Sequence, residues 1–299
     1  AEVVNFASGG SILVNDDGTT VFDANGAYET LTDGDSVAET FTYTITDALG
    51  LTSTATVNLT ISGINDAPVA QDDSFLTDED TAFSDDLFAD NGAGADSDVD
   101  SPAFTVTAVN GDAANVGAQV TGDMGGSFTI SPDGSYTFDP TGDFEDLGTG
   151  ESRTTSVSYM IDDGEGGMDM ATVSVTVTGE NDSPMVSGII ADQSMSDGAK
   201  DLSVNTAPAF EDVDDASLTY SLGAGAPAWL QIDSNSGVIS IDGSVPPGAS
   251  QGGTSGDYVV TVIAADPDGE TAEVDFTVNV TNLAPIANDD ASSGDENAV

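Results

Sequence analysis

One block of this chain recurs at a fixed offset, and a repeat of that size defines the folding unit before any single segment is read. An offset of 116 positions, without a gap, lays Gly10-Ser11 on Gly126-Ser127, Asp17-Gly18 on Asp133-Gly134 and Phe22-Asp23 on Phe138-Asp139. It also lays Tyr43 on Tyr159, Asp47 on Asp163, Gly63 on Gly179 and Asn65-Asp66 on Asn181-Asp182. Residues 1–66 therefore read as the back part of the module that fills 67–182, lacking its first strands. A second offset, of 217, lays Ala284-Pro285 on Ala67-Pro68, Asp289-Asp290 on Asp72-Asp73 and Asp295-Glu296 on Asp78-Glu79. Residues 283–299 then read as the first strand of a further module, and 183–282 as a third module of another type. Two origins fit the open front: a segment cut through a tandem array, or a subunit whose tail completes a neighbour's front module by strand addition.

The modules meet at Gly63-Ile64-Asn65-Asp66-Ala67-Pro68, at Gly179-Glu180-Asn181-Asp182-Ser183-Pro184 and, in weaker form, at Thr281-Asn282-Leu283-Ala284-Pro285. Proline holds its predecessor extended and cannot donate, while Asn and Asp offer side-chain oxygens where strand pairing stops. On either side the residues alternate with period two. Phe41–Thr46 pairs with Thr54–Ser62, Ser156–Ile161 with Met170–Thr178, and Tyr258–Ala264 with Thr271–Val280, so each module ends in a strand hairpin. No segment keeps a 3.6-residue period. The predicted class is all-β, with tandem Ig-like, Greek-key sandwiches of about 100 residues each arranged as an elongated rod.

Charge narrows the function. Fifty-four acids stand against two bases, Arg153 and Lys200, for a formal charge of -52. That balance argues against nucleic acid and anionic membranes as partners. With no histidine and no cysteine, imidazole acid–base chemistry, zinc ligation and disulfides are excluded. No run of about 18 apolar residues is present, so no helical membrane insertion is expected. The chain opens without a basic or apolar leader, as a mature or excised segment does.

The third module runs Phe210-Glu211-Asp212-Val213-Asp214-Asp215, Leu218-Thr219-Tyr220-Ser221-Leu222, Pro227-Ala228-Trp229-Leu230 and Gly237-Val238-Ile239. It resembles the dystroglycan-type cadherin-like domain. The modules at 1–66 and 67–182, with Asn-Asp-x-Pro, Thr77-Asp78-Glu79-Asp80 and Asp96-x-Asp98-x-Asp100, resemble VCBS and bacterial cadherin-like repeats of giant secreted (RTX-type) adhesins. The resemblance implies a secreted, bacterial-surface setting and a role in adhesion or biofilm formation. It also implies that Asp96–Asp100 is the Asp-x-Asp loop of a cadherin pole, and that Asp78-Glu79-Asp80 reaches the second joint from its own first strand.

Topology predicts which acids meet. In a seven-strand sandwich the first and last strands run the same way, which sets the last hairpin loop beside the incoming linker. That places Asp162, Asp163 and Glu165 near Asn65 and Asp66, with Asp72 and Asp73 close by. In the third module Asp212, Asp214, Asp266 and Asp268 converge on Asn181 and Asp182. Carboxylate and carbonyl oxygens without nitrogen or sulfur suit Ca²⁺ better than Mg²⁺. Two carboxylates about 4 Å apart repel by roughly 4 kcal/mol at an effective dielectric of 20, so calcium would turn flexible joints into stiff ones. Isolated pairs such as Asp16-Asp17 and Asp133-Gly134 read as ordinary turns. The third joint is weaker because Leu283 stands in place of an acid.

The leading expectation is thus a calcium-stiffened extender of a large surface adhesin, partnered by calcium and by neighbouring modules. One alternative is a fibre subunit whose residues 284–299 complete the front module of the next copy. Another is a carbohydrate-binding module that offers Trp229 to a polysaccharide, although the resemblance places Trp229 and Tyr220 in the core. Paired acids could serve a glycosidase, but these fall in short loops with no cleft-forming insertion, so no catalysis is expected.

Overall fold

The computed structural model describes residues 1–250 and 255–283. Among these, regular structure is strand apart from two three-residue 3-10 turns, Ala113–Asn115 and Ala207–Ala209, and there is no α-helix. Two compact units, Ala1–Glu180 and Asn181–Val299, are each described by themselves. The third joint from Ala284 onward and the tail 284–299 lie outside the described residues.

In the first unit, Ser152–Asp162 and Met168–Thr178 form an antiparallel hairpin in unbroken register from Ser152↔Thr178 to Asp162↔Met168. Alternation buries Val157, Tyr159 and Ile161 from one strand and Val173, Val175 and Val177 from the other. Two further strands flank the hairpin. Asp73–Asp78 runs parallel to Met168–Thr178, and Thr105–Val109 runs antiparallel to Ser152–Asp162. A second sheet, in the order Phe83–Asp86, Ser135–Asp139, Ser127–Ile130, Gln119–Thr121, faces the first. Leu87, Phe128, Phe138 and Phe144 are fully buried between them, each contributing roughly 1.5–3 kcal/mol. The parallel first-to-last pairing fixes the site, because it lays the incoming chain beside the last strand and the loop preceding it.

The front of the same unit repeats this plan in part. Glu2–Asn5, Ser11–Val14 and Thr20–Asp23 form a sheet, and Ser36–Thr46 pairs with Thr52–Ser62. At the offset of 116, these are the counterparts of Gln119–Thr121, Ser127–Ile130, Ser135–Asp139 and the long hairpin. Nothing described stands where Asp73–Asp78, Phe83–Asp86 and Thr105–Val109 stand in the complete sandwich. Tyr43 and Ile45 are consequently 42% and 62% exposed, whereas Tyr159 and Ile161, one repeat on, are 1% and 0%. The buried apolar set here is Phe6, Ile12 and Phe41.

The second unit has the same connection. Gln193–Ser196 runs parallel to Thr271–Thr281, which pairs with Ser255–Ala265 and, through it, with Thr219–Leu222. Val204–Asn205, Val238–Ile241 and Leu230–Ile232 form the opposing sheet. Ile239, Val245, Val260, Val262 and Val278 are fully buried between them. Trp229 belongs to this core, packed edge-on against Tyr258 with ring centroids 5.8 Å apart. The sugar-binding platform weighed from the sequence therefore has no exposed tryptophan to rest on.

Candidate metal centres

The first two joints each begin with a glycine for a steric reason. A Cβ on Gly63 would run into the carbonyl oxygens of Leu31 and Thr32, and one on Gly179 into that of Leu147. The chain then passes along the last strand of the sandwich it enters. At the first joint, Asn65 Nδ2 donates to Asp163 Oδ2 (2.8 Å), and the Asp66 N–H donates to Asp100 Oδ2 (3.1 Å). Asp163 Oδ1 accepts the N–H groups of Glu165, Gly166 and Gly167 at 2.7–3.0 Å, which shapes the hairpin loop. Asp98 Oδ1 accepts those of Asp100 and Ser101, at 3.2 and 3.1 Å. Three buried oxygens are left without a hydrogen-bond partner: Asn65 Oδ1, Asp98 Oδ2 and Asp100 Oδ1.

The start of the second unit repeats the main bonds of this arrangement. Asn181 Nδ2 donates to Asp266 Oδ2 (3.0 Å), and the Asp182 N–H donates to Asp214 Oδ2 (3.3 Å). Asp266 Oδ1 accepts from Gly269 and Glu270, and Asp212 Oδ1 from Asp214 and Asp215. The oxygens left over are again Asn181 Oδ1, Asp212 Oδ2 and Asp214 Oδ1. Carboxylate oxygens of Asp212, Asp214 and Asp215 lie within 4.8 Å of one another.

The electrostatics of the two centres also match. Burial pushes Asp212 up to about 6, and the neighbouring Asp214 adds to the effect. Burial, followed by the side chain and charge of Asp100, likewise raises Asp98, against the N–H bonds it accepts. Asp163 and Asp266 go the other way. Burial pushes each up, but the Asn65 or Asn181 amide and the loop N–H groups outweigh it and hold both below the usual carboxylate range. Each centre thus pairs one firmly ionised, fully bonded aspartate with two crowded ones that have oxygens to spare. A buried acceptor left unsatisfied costs about 1–3 kcal/mol. An all-oxygen donor set with no nitrogen or sulfur fits Ca²⁺.

The structure does not gather all the predicted ligands. Asp73 and Asp96 sit in a separate pocket around Tyr159, whose hydroxyl lies 2.9 Å from Asp73 Oδ2, 3.3 Å from Asp96 Oδ2 and 3.0 Å from the Gln71 carbonyl. One hydroxyl proton serves one acceptor at a time. Asp73 is 2% exposed, and burial pushes it up to about 7; the Tyr159 bond opposes that shift and the Asp96 charge adds to it. Asp72 accepts the Thr172 N–H (2.8 Å) at the strand edge. Asp162 caps Gly164 and Asp78 caps Asp80, at 2.7 and 3.2 Å, so both are turn acids. Buried Glu79 accepts the Glu180 N–H (2.8 Å), while Asp80 and Asp268 are exposed. Sequence reasoning missed Asp169, which accepts the Ala70 N–H at 2.9 Å and whose charge Asp96 feels. Its repeat counterpart is Ser53, so the offset carried no signal for it. Tyr159 was matched to Tyr43 without a role. Asp215 was legible only as the last acid of its run.

No curated protein matches this chain. A family model of the bacterial cadherin-like domain matches residues 65–179, one of a bacterial Ig domain matches 1–60, and one of an Ig domain matches 183–281. Among solved structures, mouse cadherin-23 EC22-24 is 18% identical with a TM-score of 0.52, and the match covers 91% of this chain and 82% of that one. Mouse clustered PcdhgC3 EC1-3 is 15% identical with a TM-score of 0.48, covering 94% and 88%. Among the described residues no helix is long and apolar enough to cross a membrane. Segment by segment, the chain is thus similar to a bacterial Ig domain over 1–60, to a bacterial cadherin-like domain over 65–179 and to an Ig domain over 183–281, with the β-sandwich fold seen in the cadherins.

Proposed function

We propose that this chain is a calcium-stiffened extracellular spacing segment of a secreted bacterial surface adhesin, with one metal centre at Asn65-Asp66 and another at Asn181-Asp182. One observation carries the reading. Two sandwiches matched by different family models leave the same three oxygens buried and unpaired: the asparagine Oδ1, the Oδ2 of the first run aspartate and the Oδ1 of the second. Acids that only form turns give no reason for that coincidence, whereas a cation held by those oxygens does. Asn65, Asp98 and Asp100 would hold it at the first centre, and Asn181, Asp212 and Asp214 at the second, with Asp215 alongside. Asp163 and Asp266 act on the asparagines instead. An ionised carboxylate can only accept, so each fixes the amide nitrogen toward itself and turns the amide oxygen to the cluster.

When bound, calcium supplies positive charge and takes six to eight oxygen ligands. It would relieve the repulsion within each acid run and tie the linker residues to the sandwich that follows them. The test is calorimetric titration of the full chain. Saturable calcium binding is expected, weakened in part by Asp100→Asn and by Asp214→Asn, and abolished at both centres by the two together. Equal binding heat in the double variant would remove the reading.

A further inference from the structure

We propose that the complete sandwich of the first unit holds a divalent cation of its own, between the carboxylates of Asp73 and Asp96, the Gln71 carbonyl and the Tyr159 hydroxyl. The site is distinct from the two linker centres and does not depend on them. Asp73 enters on the first strand, Asp73–Asp78, and Tyr159 on Ser152–Asp162. Asp96 is brought to them by its loop. Val69 and Ser97 exchange backbone hydrogen bonds of 2.7 and 3.1 Å, the Ser74 N–H donates to the Asn91 carbonyl (3.1 Å), and the Gln71 N–H donates to Asp96 Oδ1 (2.7 Å). None of these bonds involves Asn65, Asp98 or Asp100.

Tyr159 Oη has three acceptor oxygens around it, Asp73 Oδ2, the Gln71 carbonyl and Asp96 Oδ2, at 2.9, 3.0 and 3.3 Å. Its single proton serves one of them. Neighbouring oxygens in one calcium shell lie at similar spacings, roughly 2.7–3.7 Å for ligands at about 2.3–2.6 Å. The other oxygen of the Asp73 carboxylate, Oδ1, is buried without a hydrogen-bond partner. So is the Tyr136 hydroxyl, which feels the Asp73 charge. The Asn91 amide favours the Asp73 charge from nearby, but its nitrogen donates to the Asp86 carbonyl at 2.6 Å. No basic side chain neutralises the pair, since the ion pairs among the described residues are Ala1–Asp16 and Arg153–Asp146. Asp73 and Asp96 are 2% and 8% exposed. Two buried carboxylates without a counter-charge are costly, and one divalent cation cancels both.

The second unit shows that the fold itself does not require this acid pair. There the Thr277 N–H donates to Asp192 as the Thr172 N–H does to Asp72. The next strand position pairs Gln193 with Val278, where the first unit pairs Asp73 with Val173. Across the hairpin, Val260 opposes Phe276 at the place where Tyr159 opposes Ala171. Acid and hydroxyl are thus replaced together, by Gln193 and Val260, and the same parallel strand pairing forms. The buried charge of Asp73 serves something other than docking that strand.

The test is calorimetric titration of the full chain with calcium, on wild type, D73N/D96N, D100N/D214N and the variant with all four substitutions, each checked for folding by circular dichroism. Wild type is expected to bind three ions and D73N/D96N two. D100N/D214N, which empties the linker centres, should keep one ion, and the four substitutions together should remove it. Tyr159→Phe, which keeps the ring in the core, should weaken that same ion and leave the other two unchanged. An ion count that D73N/D96N leaves unchanged, or a D100N/D214N chain that binds no ion, would overturn the proposal. A wild type that binds one ion, kept in D100N/D214N and lost in D73N/D96N, would support the pocket and contradict the linker reading alone.

Discussion

Asn65 and Asp163 are joined by a hydrogen bond of 2.8 Å whose direction is forced. Against its burial, the Asn65 amide and then the loop N–H groups hold Asp163 below the usual carboxylate range; as a carboxylate it can only accept, and Asn65 must present its nitrogen. The amide oxygen is thereby turned away from Asp163 and left buried without a partner, as are oxygens of Asp98 and Asp100, and Asn181 with Asp266 repeats the relationship at 3.0 Å. Asp163→Ala frees the amide to turn. It should weaken calcium binding at the first centre by about 10–100-fold, the usual effect of losing a group that orients a ligand, and leave the Asn181 centre unchanged. Calorimetric titration resolved into two sites reads both effects.

Gly167 is the steric counterpart of that bond. A Cβ there would meet Asp163 Oδ2 and the Ala67 Cα, and would lie 3.1 Å from Asn65 Nδ2. Gly167→Ala should therefore displace the Asn65–Asp163 pair and destabilise the first unit by about 1–3 kcal/mol. A lowered unfolding midpoint, together with weaker calcium binding at this centre alone, is the expected result.

The metal-free protein should lose stability as pH rises, against the usual trend for carboxylates. Asp73 and Asp212 have folded-state values raised to about 7 and about 6. Each therefore keeps its proton in the folded chain after the unfolded chain has released it. Their contribution is fully present below about pH 4 and disappears as pH passes through 6 and 7. Thermal midpoints in chelator should fall between pH 4 and pH 8. Asp73→Asn, which cannot ionise, should flatten the part of the slope nearest pH 7.

Trp229 supplies a check on the second unit. Its ring is packed in the core against Tyr258, so Trp229→Ala should cost about 3–5 kcal/mol. The loss would be seen by circular dichroism as a lower unfolding midpoint. An unchanged midpoint would mean that the ring does not pack there.

The hairpins were legible because alternation and turn chemistry are local. The loop acids Asp163 and Asp266 end up beside Asn65 and Asn181 because first and last strands run parallel, which the strand count already implied. What the sequence could not separate was one aspartate from its neighbour. Asp72 and Asp73 are adjacent, yet strand alternation sends one to the sheet edge and the other to Tyr159. Asp162 and Asp163 divide in the same way, the first capping a turn and the second fixing Asn65. Assigning such pairs needs the register. Asp169 stayed hidden because its partner, the Ala70 N–H, lies 99 residues away and belongs to the backbone.

The most direct measurement is an anomalous difference map from crystals of the full chain grown in millimolar calcium. The account predicts one peak about 2.3–2.6 Å from Asn65 Oδ1, Asp98 Oδ2 and Asp100 Oδ1, and a second at the same distances from Asn181 Oδ1, Asp212 Oδ2 and Asp214 Oδ1. A map without density at either place, with those side chains turned separately into solvent, would contradict it.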